Sequence, residues 1–275
     1  MNFSLIILNV KIIYLYILKK EFYYNKNMKR PLIEQNSGYA LGNFIMLTPG
    51  IKKLSEKIGQ KIDVYFTIPY VKECFIDCNF MNHIGRLHRP PTFSSKMINL
   101  NVPDYQYTFE LMIGEKWSEK YHTYVDTAIE IPKNDEDYLL LLNGLGGLSL
   151  DDNDPKPKWY GKKEIPEEIF NTIKKNSNLP IYFTGSESDM KQNPWMEKIC
   201  DKIEIGNIRK SLSLVRDAKK IISNDTGLAH CAGAMNKDIL ILWKDTPFIK
   251  NQNPGKNTKY SQKENWLEKI KEYLR

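Results

Sequence analysis

Cysteine and histidine are both scarce, with four of each in 275 residues. Cys74 and Cys78 stand four apart, but no second close pair of Cys or His completes the spacing of a zinc site. Cys74, Cys78, His83 and His88 form the one metal set worth naming. Reduced, mostly buried thiols (Cys74, Cys78, Cys200 and Cys231) in a cytosolic protein are the simpler expectation. Charge of one sign is not concentrated. The formal charge is +7, from 40 Lys and Arg against 33 Asp and Glu, and the lysines are spread among the acids without a dense basic block. No RNA- or DNA-binding signature accompanies them, so no nucleic-acid partner is expected. The basic balance suits an anionic small substrate or solvated faces.

Long apolar runs are missing too. Phe3 to Leu18 is apolar apart from Asn9 and Lys11, yet falls short of the ~20 residues a spanning helix needs. It lacks a small-residue cleavage site. Lys19, Lys20, Lys26, Lys29 and Arg30 follow it. A membrane anchor, an added strand or helix, and an extension upstream of a start at Met28 remain open for residues 1–28. The expectation is a cytoplasmic monomer, with peripheral contact at the inner face of a membrane left open by that segment.

What is present is enough for two ordinary domains. Hydrophobic residues make up 41% and charged residues 27%, as in soluble globular proteins. Pro31 to Gln35 reads as a weak strand, Asn36 to Asn43 as a loop with two glycines, and Phe44 to Ile58 as an apolar helix closed by Gly59. Lys61 to Phe66 is a second strand, completing a parallel βαβ unit. Residues 71–130 are less regular, with a helix expected around Trp117–Ala128; Tyr121 to Asp126 is a candidate cleft lining, and His122 reads first as a surface or packed residue. Ile131 to Asp137, polar and with a Pro, is the best domain linker. Tyr138 to Leu142 is a fully buried strand ending in a second glycine-rich loop. Further strands are expected at Leu179–Thr184, Ile203–Ile205, Lys220–Ser223 and Asp238–Trp243. Helices are expected at Pro166–Lys175, Trp195–Ile199 and Ser211–Ala218, the last with Ser211 as N-cap. The domains are thus 29–134 and 135–260, followed by an amphipathic helix in 261–275 with Trp266, Leu267, Ile270 and Leu274 on one face. No short-period internal repeat appears.

The chemistry concentrates in Ile221 to His230, a short strand, a polar turn and the first turn of a helix. Asp225 and Thr226 are good N-cap residues, Gly227 permits a close approach, and His230 lies one turn on. The N-terminus of such a helix has free N–H groups and partial positive charge, which suit a phosphate or diphosphate. The same residues also fit an ordinary capped turn with a packed histidine. Two α/β sheets facing each other would bury a ligand between their strand C-terminal ends.

Asn224-Asp225-Thr226-Gly227-Leu228-Ala229-His230, followed by Ala232, Ala234 and a buried strand, resembles the signature of glycosyltransferase family 9, the heptosyltransferase family. Gly38-Tyr39-Ala40-Leu41-Gly42-Asn43 with Leu47-Thr48-Pro49 is similar to that family's N-terminal glycine loop and helix. Lys158-Trp159, Gly185-Ser186-Glu187 and Ser211-Leu212 are similar to further family features in the expected order. The resemblance covers residues 29–260. It implies a GT-B fold, two Rossmann-like domains with parallel sheets facing a central cleft. It implies an inverting, metal-independent transfer from a nucleotide-diphosphate sugar (an ADP-sugar, heptose-like) to a glycan or lipid-linked acceptor in surface-glycan or lipopolysaccharide synthesis, with no cofactor. By that resemblance Asp225, Thr226, Gly227 and His230 hold the donor diphosphate or sugar, Lys158 neutralises the leaving group, Glu187 contacts the ribose, and Gly38 and Gly42 shape the acceptor-side loop.

One departure stands out. The family's glycine loop ends in an Asp that acts as general base, and here that position is Asn43. An amide cannot take a proton at pH 7, and no Asp or Glu lies within Gly38–Pro49. Glu34 and Asp126 are the candidate replacements. The alternative is a nucleotide-sugar-binding protein of the same fold with impaired catalysis.

Overall fold

The computed structural model describes residues 31–35, 41–85, 92–94, 110, 112–116, 121–127, 129–144, 163, 165–244 and 255–275. The apolar run 3–18, the loop residue Gly38, His88 and the pair Lys158-Trp159 lie outside the described residues.

The first half is a four-stranded parallel sheet in the order β3-β2-β1-β4. Its strands are β1 (Leu32–Gln35), β2 (Ile62–Phe66), β3 (Met81–Ile84) and β4 (Phe93–Ser94). Helix α1 (Leu41–Ile58) crosses from β1 to β2, and α2 (Pro69–Glu73) follows β2. Helix α1 starts three residues earlier than the apolar run suggests, so Leu41, Gly42 and Asn43 form its first turn and not the preceding loop. Its apolar side chains from Phe44 to Leu54 are almost wholly buried.

The second half is a six-stranded parallel sheet in the order β10-β9-β8-β5-β6-β7. It contains β5 (Leu139–Leu142), β6 (Ile181–Gly185), β7 (Lys202–Ile205), β8 (Lys220–Ser223), β9 (Ile239–Trp243) and β10 (Thr258–Gln262). The helices are α3 (Glu167–Asn176), α4 (Glu187–Gln192), α5 (Met196–Ile199), α6 (Ile208–Asp217), α7 (Gly227–Ala234) and α8 (Trp266–Leu274). The chain lays β6 and β7 outward from β5, returns to its other side and lays three more strands, β8, β9 and β10. That is the doubly wound Rossmann order, and its direction reverses between β5 and β8. Every residue of β5 is buried, as a central parallel strand covered on both faces must be. Helices α3 and α8 cover one face through Phe170, Ile173, Trp266 and Ile270. On the other side a single buried cluster runs from Phe44 and Phe75 of the first half to Ala229, Cys231 and Ile241 of the second.

Three expectations change. The segment 121–127 is not helical: Tyr124 N–H donates to Thr48 Oγ1 at 2.7 Å, and Asp126 N–H donates to the Cys74 carbonyl at 3.0 Å. These long-range partners take the backbone donors that a helix would have used. Ser211 does not cap α6. Asn207 does, accepting from Lys210 N–H, while Ser211 is buried with its hydroxyl 2.7 Å from that of Thr184. Strands β3, β4 and β10 join the sheets at segments with no strong strand signal, and residue 260 falls within β10.

The halves meet directly. Arg209 on α6 donates to the Glu73 carbonyl at 3.1 Å and to Asp126 Oδ2 at 3.4 Å, and it lies 3.7 Å from Asp77. Asp126 is 1% exposed and also accepts from Asp77 N–H and the Tyr124 hydroxyl. Arg216 ties the linker to α6 through the carbonyls of Ile129 and Ile131. Among the described residues no helix is long and apolar enough to cross a membrane, and no cluster of His, Cys, Asp or Glu could hold a metal ion.

Candidate functional site

Three buried asparagines build the floor where the second sheet reverses direction. Asn143, just past β5, donates to the Ile165 carbonyl and accepts from Ile165 N–H, both at 3.1 Å. Its Nδ2 also donates to Asn193 Oδ1, and Asn193 returns a bond to the Asn143 carbonyl. Asn224, just past β8, donates from Nδ2 to the carbonyls of Gly144 at 2.8 Å and Lys163 at 2.9 Å. Buried amides with several partners hold loops rigidly, because losing any one strands a polar group. Here they fix the main chain at Lys163 and Ile165.

Lys163 is thereby aimed at Asp225, and its ammonium donates to Asp225 Oδ2. The side chains are 23% and 14% exposed, so this pair is largely withdrawn from water. On the other side of the carboxylate, His230 Nε2 lies 3.5 Å from Asp225 Oδ1. Burial pushes the Asp225 carboxyl up, but the hydrogen bond from His230 and the charge of Lys163 outweigh it, and the group is held well below the usual carboxylate range. Asp225 therefore stays ionised. It is not the helix cap that its residue type suggests: Thr226 is the N-cap of α7, its hydroxyl accepting from Ala229 N–H at 3.2 Å.

The first half of the chain closes onto this turn. A Cβ at Gly227 would lie 3.1 Å from Leu41 Cβ and 3.5 Å from Gly42 N, so the first turns of α1 and α7 touch. A Cβ at Gly42 would lie 2.6 Å from His230 Cδ2, which only glycine avoids. Each helix start carries N–H groups without intrahelical partners and about half a positive charge. Two such ends, Lys163 and His230 meet around one carboxylate. Two polar atoms there are buried with no partner, Asn224 Oδ1 and His230 Nδ1.

The structure therefore brings Asp225, Thr226, Gly227, His230, Gly42 and Asn43 into one neighbourhood. It does not bring Asp126 there as a free carboxylate, since Asp126 is committed to Arg209 and Tyr124. Burial raises the Asp126 carboxyl above its ordinary value. Glu187 is exposed on the first turn of α4, whose capping box is made by Ser186 and Asp189. Lys158 lies outside the described residues. Among the described residues the lysine at the site is Lys163, which sequence reasoning did not single out. The signal available was its place two residues before Ile165, at the end of the polar run that leads into α3.

No family model matches the chain, and no curated protein matches it. Solved structures do match. The glycosyl transferase family 9 protein from Veillonella parvula superposes with a TM-score of 0.60 at 12% identity, covering 86% of each chain. The ADP-heptose lps heptosyltransferase II of E. coli gives 0.62 at 12% identity, over 90% of this chain and 97% of that one. E. coli heptosyltransferase WaaC with ADP-2-deoxy-2-fluoro heptose gives 0.55 at 14% identity, over 90% and 99%. Over 86–90% of its length, the chain shares the α/β fold of these three transferases.

Proposed function

We propose that this protein is a glycosyltransferase that takes a sugar from a nucleotide-diphosphate donor. The observation that carries the reading is the meeting of two helix N-termini, Lys163 and His230 around the single carboxylate of Asp225. That neighbourhood combines two helix N-termini with the Lys163 ammonium, an excess of positive charge that complements a diphosphate. It lies at the sheet's reversal point, where ligands of doubly wound folds bind. Asp225, Thr226 and Gly227 present the turn to the diphosphate. Lys163 neutralises the leaving group, the part first assigned to Lys158, and needs no metal to do so. Glu187 at the start of α4 is a ribose contact. An ADP-sugar is the donor of choice, because E. coli WaaC, which shares the fold, is seen with ADP and with an ADP-heptose analogue. The acceptor is a glycan or lipid-linked sugar reached from the α1 side, and the displacement is inverting.

The amide at Asn43 favours a second reading, a nucleotide-sugar-binding protein of the same fold without transfer. A thermal-shift screen against nucleoside diphosphates and nucleotide sugars tests the donor half of both readings. A donor at about 100 times its dissociation constant stabilises by ~2.7 kcal/mol. No shift with any nucleotide would defeat both. Binding without turnover, with no gain from Asn43→Asp, would leave the second.

A further inference from the structure

Transfer to a hydroxyl needs a group that takes the hydroxyl proton. The first turn of α1, Leu41-Gly42-Asn43-Phe44, has no titratable side chain. Asp126 is occupied at the Arg209 junction. His230 is different, because its ring touches both halves of the chain. One edge lies against Gly42 of α1, and Nε2 faces Asp225 Oδ1 at 3.5 Å.

On the proposed glycosyl-transfer reading, we infer that His230 is the general base, a histidine oriented by Asp225 that does the work an acid at position 43 would do. The ionised Asp225 keeps the imidazole proton on Nε2 and leaves the lone pair on Nδ1, the ring atom with no partner. The same carboxylate stabilises the imidazolium as it forms, which is how an acid orients a histidine in hydrolytic triads. In the step, the acceptor oxygen bonds to the sugar's anomeric carbon and its proton passes to Nδ1. The bond from that carbon to the phosphate oxygen breaks, and its electron pair leaves on the nucleoside diphosphate. Lys163 and the positive N-terminal end of α7 receive that charge. Among the described residues the charged groups facing His230 are Asp225 directly and Lys163 beyond it. Its neighbour Cys231 turns to a buried thiol–thiol contact with Cys74.

The test uses the full chain with ADP for binding by calorimetry, and ADP-heptose with water as acceptor for ADP release. His230→Gln should weaken ADP binding by no more than about tenfold, since it removes one of several groups around the turn, and lose ADP release by about 100-fold or more. Adding Asn43→Asp to His230→Gln should recover at least about tenfold, because a carboxylate then stands beside the same seam. Unchanged release in His230→Gln overturns the inference. So does release lost in Glu34→Gln but kept in His230→Gln, or a loss of ADP binding that accounts for the whole effect. Wild type that binds ADP but never releases it from ADP-heptose also counts against His230. Wild type that binds no ADP defeats the donor reading instead.

Discussion

Gly42 and His230 are in contact across the two halves of the chain, so closely that one added methyl would sit 2.6 Å from the imidazole Cδ2. The histidine is 7% exposed and cannot swing away into solvent. Gly42→Ala should therefore cost roughly 1–3 kcal/mol as an overpacked contact. It should also weaken ADP binding, since His230 can yield only by leaving Asp225. Urea unfolding and ADP titration of the same variant check both, and an alanine variant as stable as the wild type would show that the halves do not close this tightly.

Lys163 and Asp225 form a mostly buried pair with His230 on its far side. Lys163→Ala should lower donor turnover by about 100- to 1,000-fold, the usual scale for removing one group that stabilises a leaving charge. Lys158→Ala should do less. Steady-state release of ADP from ADP-heptose compares them, and the reverse order would return the leaving-group role to Lys158.

The pH dependence of stability follows from Asp225. Its folded-state carboxyl is held below the ordinary value of about 3.9. A depressed acid stabilises the fold above its unfolded pKa, and that contribution drains away as pH falls through the folded one. Asp225→Asn should thus be less stable than the wild type at about pH 6, with the gap narrowing below about pH 4. Urea midpoints across that range measure it; a gap independent of pH would contradict the assignment.

Arg209 holds the two halves together through Glu73, Asp77 and the buried Asp126. Arg209→Ala leaves the Asp126 charge without its cation and should destabilise by about 3 kcal/mol. Asp126→Asn in the same chain should recover part of that loss, because the buried group is then neutral. A double-mutant cycle by chemical denaturation gives the coupling, and additive effects would mean that the junction is held elsewhere.

Several features were legible in the residues alone. The run Tyr138–Leu142 could only be a doubly covered strand, and the alternation of apolar strands with amphipathic helices fixed two parallel α/β units. The turn at Asn224–His230 was readable because a strand, a cap, a glycine and a histidine at helical spacing are all local signals. Strand β10 was not, because Thr258 to Gln262 alternates weakly and becomes a strand by pairing with β9. The helix expected across 121–127 failed for a related reason, since Thr48 and Cys74 outcompete the local backbone partners.

By itself, the sequence determined the fold class, the place of the polar turn in the second unit, and the amide at position 43. Tertiary structure alone decided which lysine meets Asp225, that Asp126 belongs to a junction, and that His230 rests on Gly42. Periodicity and capping are set within a few residues of one another. Contacts such as Lys163 with Asp225, 62 positions apart, depend on where two sheets and three buried asparagines put their loops.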